Sequence, residues 1–123
     1  MKSFLSFTAV IEALTGIGLL FFPGRLISFL LQRKYEETGG ILVATISGAA
    51  IISLAAGSWL FKQSVSGLTF SEVLLIYNSA IVAIVIFAAA CFKFTGIPLL
   101  LIGGFHLFQV IWGLKLLLKR KTI

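Results

Sequence analysis

Charge is what this sequence has least of. Only 11% of its 123 residues are charged and only four are acidic, where soluble domains carry about 25% charged residues. At the same time 59% are hydrophobic. A soluble domain of this size leaves much of its chain at the surface and could not hide so much apolar area. A lipid solvent removes the difficulty. Cysteine is nearly missing as well: Cys91 stands alone, so no intrachain disulfide and no thiolate metal cluster can form. It lies near the end of an apolar run, where a buried, inert thiol is the expected state. Proline is confined to Pro23 and Pro98, histidine to His106, and no linker-like stretch divides residues 1–123, which form a single domain.

The apolar residues fall into four runs, each near the ~20 residues that cross a ~30 Å hydrocarbon core. They predict helices over about residues 4–22, 41–61, 71–92 and 97–118, an all-α bundle of four transmembrane helices. Pro23-Gly24 breaks the first run, because proline cannot continue the hydrogen-bond ladder and glycine accepts turn geometry. Arg25 to Leu31 then reads as one or two turns at the interface, and Gln32 to Gly40 as a solvated connection. Trp59 and Lys62 suit the headgroup level at the end of the second run. Lys62 to Phe70 reads as a loop, with Ser71-Glu72 capping the third helix. Pro98 fits the first turn of the fourth helix, where its missing N–H costs nothing. The first run has a one-lysine n-region and no small-residue cleavage site, so it is expected to be a retained helix.

Lys and Arg outnumber the acids to a net +6, but the cations sit in short connections and the C-terminal tail, where cytoplasmic flanks and lipid headgroups want them. No basic face carries interleaved aromatics, so nucleic acid is excluded as a partner. Four crossings put both termini and the second connection on one side. That side holds Lys2, Lys62, Lys115, Lys119, Arg120 and Lys121, against Arg25, Arg33, Lys34 and Lys93 on the other. The bias predicts cytoplasmic termini. Ala49, Ser53 and Gly57, with Gly103 and Gly113, are small enough for close helix approach. Intramolecular packing is the first reading of these stripes, and a homo-oligomer seam the second.

Glu12 falls in the middle of the first run, where an ionised carboxylate costs at least ~2.5–3.5 kcal/mol. It must be neutral, paired or facing water. Thr8, Thr15 and Gly16 share its face, which should therefore point into the bundle. His106 and Gln109 share a face of the fourth helix. Counted from the cytoplasmic end, Glu12 lies roughly 12 Å deep, Gln109 roughly 14 Å, His106 roughly 18 Å and Asn78 roughly 10 Å. One hydrogen-bonded cluster of Glu12, Asn78, His106 and Gln109 is thus expected as a ligand- or proton-binding site, with Tyr77 beside it. The ligand would be small and lipophilic or cationic. A lone histidine is more often structural than a metal ligand: zinc would need Glu12, Asn78 or a second subunit, and haem a second copy of His106. No nucleophile elbow, P-loop or dinucleotide fingerprint occurs. No metal, cofactor or catalytic residue is expected, although Glu12 and His106 could serve a membrane enzyme as an acid/base pair, and a purely structural partner of a larger complex is a further reading.

Ile11-Glu12-Ala13-Leu14-Thr15-Gly16, Leu19-Leu20, Pro23, Tyr77-Asn78 and His106 together resemble a group of small four-helix bacterial membrane proteins, DoxX-like in size and layout. The resemblance implies a bacterial plasma-membrane location and no defined activity. In layout the chain is also similar to the small multidrug resistance transporters, whose first helix carries one embedded glutamate shared by protons and cationic drugs. That resemblance gives Glu12 the same role in a dimer. Pro23-Gly24, Asn78, His106 and the position of Trp59 depart from that pattern.

Overall fold

A computed structural model describes residues 1–121. The chain is all helical: α1 (Lys2–Phe21), α2 (Pro23–Leu31), α3 (Thr38–Phe61), α4 (Gly67–Phe92) and α5 (Ile97–Lys121). Among the described residues there is no strand. Every helix but α2 is long and apolar enough to cross a membrane. Most of their large apolar side chains, such as Leu14, Leu60 and Ile76, point outward. This inside-out character suits lipid, where exposure of hydrocarbon costs nothing, and the chain is a multi-pass membrane protein.

Helix ends follow local chemistry. The Phe22 N–H closes α1 on the Gly18 carbonyl at 2.8 Å, and Pro23 opens α2 at the position where no N–H is needed. Gln32 and Lys93 take the left-handed conformation at the ends of α2 and α4, with φ of 51° and 56°. The expected loop before α4 is shorter than the sequence suggests. Ser64, Gly67 and Phe70 bond back through a tight turn, and Gly67 starts the helix directly against α3. Any side chain there would bring its Cβ to 2.4 Å from the Phe61 carbonyl oxygen. Ser71 is therefore no cap. It lies one turn inside α4, buried, and its hydroxyl donates to the Gly67 carbonyl at 2.7 Å. Thr38 to Gly40, expected in the connection, forms the first turn of α3.

The backbones approach closely in two pairs, α1 with α3 and α4 with α5. Gly16 and Gly48 form the first contact: a Cβ on Gly48 would lie 2.7 Å from the Leu20 nitrogen and 2.8 Å from the Gly16 oxygen. The expected stripe of Ala49, Ser53 and Gly57 is not this seam. Ala49 and Ser53 are exposed, Ser53 satisfies its own hydroxyl on the Ala49 carbonyl, and Gly57 makes room for Phe70. Helix α3 is small-sided nearly all round, so composition could not single out the face. Gly103 does thin α5, against Val85. Cys91, expected buried, is exposed.

Side chains join the two pairs. Phe4, Leu5 and Leu74 form a core near the N-terminal end, and Trp112 stacks edge-on to Phe4 with ring centroids 5.3 Å apart. This places the start of α1, the α3–α4 turn and the end of α5 at one end of the bundle. The side chains of Arg120 and Lys121, counted among that end's cations, lie outside the described residues. Helix α2 packs against α1, α3 and α5 at the opposite end. There Arg33 stacks over Phe94, 4.5 Å from the ring centre.

Candidate functional site

Between the two helix pairs lies a cavity of about 260 Å³. Ile11, Ile51, Leu101, Ile102 and Phe105 give it an apolar wall, and Glu12, Tyr77, His106 and Gln109 a polar one. Asn78 stands behind His106. Three of the four expected residues, Glu12, His106 and Gln109, thus line one cavity, and Asn78 reaches it through His106. The expected single hydrogen-bonded cluster does not form: His106 pairs with Asn78, Gln109 pairs with Thr8, and Glu12 bonds to neither.

Each polar group is held by a definable bond, with one exception. Asn78, buried on α4, donates its amide Nδ2 to the Leu74 carbonyl at 2.7 Å. Its oxygen is then the atom turned to His106 Nδ1, 2.6 Å away. An amide oxygen can only accept, so Nδ1 carries the proton, and the neutral imidazole keeps its lone pair on Nε2. Tyr77 and Phe105 flank the ring edge-on, at centroid distances of 6.0 and 5.6 Å. Gln109, also buried, accepts from the Thr8 hydroxyl at 2.9 Å, a bond that ties α1 to α5 across the bundle. Its amide nitrogen remains a donor at the cavity wall.

The exception is Glu12. Its side chain is only 5% exposed, and among the described residues its two carboxyl oxygens are the buried side-chain atoms without a hydrogen-bond partner. Ser58 of α3 faces it, but the Ser58 proton goes to the Leu54 carbonyl at 3.0 Å. Buried polar groups in native proteins are almost always satisfied, and an unpaired ionised carboxylate in hydrocarbon is costlier still. The site therefore tolerates Glu12 as a neutral acid, or as an anion matched by whatever enters the cavity.

Of the face predicted around Glu12, Thr8 and Gly16 are buried with it, while Thr15 is exposed at the cavity rim and bonds the Ile11 carbonyl at 2.9 Å. Sequence reasoning missed Ser58, because a serine on a small-sided helix carries no signal of direction. It also missed the Thr8–Gln109 pairing, since the order of helices around a bundle is not written in periodicity. Among the described residues no three of His, Cys, Asp and Glu gather as a metal site would need. Comparison with protein families, characterised proteins and solved structures finds no match.

Proposed function

We propose that this chain is a bacterial plasma-membrane protein, with both termini in the cytoplasm, that binds a small lipid-soluble molecule or a proton in the central cavity. Glu12, Asn78, His106 and Gln109 form the site. Glu12 is the group that takes up the ligand's donor or the proton. His106 offers a second acceptor at Nε2, Asn78 fixes that tautomer from behind, and Gln109 contributes a donor. The apolar wall fits a hydrocarbon body, in the usual manner of small-molecule pockets where a few polar groups orient a mostly apolar ligand. The observation that carries this reading is the buried Glu12 carboxyl, both oxygens without a hydrogen-bond partner, on a residue that lines the same cavity as His106.

The test is infrared difference spectroscopy on the purified protein in lipid, with Glu12→Gln as the blank. A carbonyl band of a neutral carboxylic acid, missing from Glu12→Gln and responding to pH or to added ligand, is expected. A Glu12 that stays ionised across about pH 5 to 9 would remove the proton-binding role. If Glu12→Gln also leaves folding yield and every cellular phenotype unchanged, the site itself is to be abandoned.

A further inference from the structure

A second concavity lies on the opposite flank of α1, facing away from the bundle. It is a groove of about 440 Å³ between α1 and α3, lined by Ala9, Val10, Ala13, Ile52, Ala55 and Ala56, with Trp59 and Leu60 at its termini end. Its floor is alanine: Ala9 and Ala55 are each 4% exposed. The lining is almost wholly apolar, so nothing in it asks for a polar molecule.

Its length and its ends identify the occupant. From Ala13 to Lys2 is eleven residues, about 16 Å of helix, half of a ~30 Å hydrocarbon core. The groove, lined on α1 from Ala13 to Ala9, thus lies within a single leaflet, between mid-membrane and the surface where Lys2 sits. At 3.6 residues per turn, Lys2, Ala9 and Ala13 lie within about 20° of one line along α1, and Ala55 and Lys62 are similarly aligned along α3. Both lysines are therefore carried on the groove's line to its headgroup end. Lys62 sets its ammonium over the Trp59 indole, 2.8 Å from the ring centre, which fixes a cation at the mouth. Among the described residues the salt bridge is Lys34–Glu36, and neither Lys2 nor Lys62 is ion-paired there.

We infer that this groove is a binding site for an anionic phospholipid of the leaflet at the termini end. One acyl chain lies on the alanine floor and the phosphate is held by Lys62 and Lys2. This site is separate from the central cavity and independent of what the cavity binds. An ordinary lipid-facing flank would accept any acyl chain equally. Two lysines at the termini end, neither ion-paired among the described residues, make this one select for headgroup charge, by about fivefold for each lysine near the surface.

Trp59 reports on its own groove. In a Trp112→Phe background it is the sole tryptophan, and lipids brominated on the acyl chain quench it on contact. The full chain would be placed in phosphatidylcholine vesicles carrying matched minor fractions of brominated phosphatidylglycerol or brominated phosphatidylcholine. Phosphatidylglycerol is expected to bind at least about fivefold more tightly. Lys2→Gln with Lys62→Gln should abolish the preference, and Lys62→Arg, which keeps the charge, should preserve it. Ala56→Leu, an exposed site that fills the groove, should also abolish it. Equal quenching by the two lipids in the unaltered chain overturns the proposal. So does a preference that survives either the double glutamine variant or Ala56→Leu.

Discussion

At Gly48 a single hydrogen stands where any other residue would drive a carbon into the backbone of α1. The obstruction is the Leu20 nitrogen and the Gly16 oxygen rather than the tip of a side chain, so no rotamer change can relieve it. Gly48→Ala is expected to destabilise the folded protein by about 1–3 kcal/mol, the usual cost of overpacking. Gly104 is the control, since a Cβ there meets nothing within 4 Å, and Gly104→Ala should leave stability unchanged or slightly raised. Unfolding in mixed micelles would measure both, and equal losses would mean the Gly16–Gly48 contact does not hold the pair together. This residue shows where the sequence is silent. Glu12 and His106 announce themselves because charge capacity is rare amid so much hydrocarbon. Gly48 is one small residue among many on α3, and only the path of α1 distinguishes it from Ala49.

Among the elements, the segment after α2 is the part built for water. Tyr35 anchors that segment twice: its N–H donates to Ser28 Oγ at 3.0 Å and its phenol donates to Glu37 at 3.0 Å. The hydrogen bond to Glu37 pushes the phenol above its ordinary value, with slight burial and the Glu37 charge acting the same way. A raised value means the folded chain holds the proton more tightly than the unfolded one. The contribution is therefore complete below pH about 10 and is lost as pH rises through the folded value. In a Tyr77→Phe background, phenolate absorbance should titrate later than a free tyrosine, and Glu37→Gln should return it toward the ordinary range. An unchanged midpoint in Glu37→Gln would show that the bond is absent in lipid. The long helices were legible from their apolar runs, and the break at Pro23 from proline's missing donor. The early start of α4 was not, because it depends on Gly67 fitting beneath the Phe61 carbonyl, a contact between elements.

For the whole molecule, the proposed orientation is set by cations at the two ends. Lys2, Lys62, Lys115 and Lys119 belong to the termini end, and Arg25, Arg33, Lys34 and Lys93 to the end that α2 covers. The additional tail cations Arg120 and Lys121 in the sequence tip the balance. A reporter fused at the C-terminus should be active in its cytoplasmic form, and one inserted at residues 32–37 in its periplasmic form. Equal signals from both compartments would replace a fixed orientation with insertion in two directions. The bond between Thr8 and Gln109 adds a matter of timing. Its partners are separated by 101 residues, about 5–20 s of synthesis at ordinary rates. Throughout that interval α1 has already emerged with Glu12 and Thr8, while the helix that will cover them is still being made. Helix α3, through Gly48 and Ser58, and then α4, through Tyr77, arrive before α5 and shelter part of the carboxyl. The side that α5 covers waits, so a chain stalled before α5 would leave the carboxyl of Glu12 without the wall that His106 and Gln109 supply.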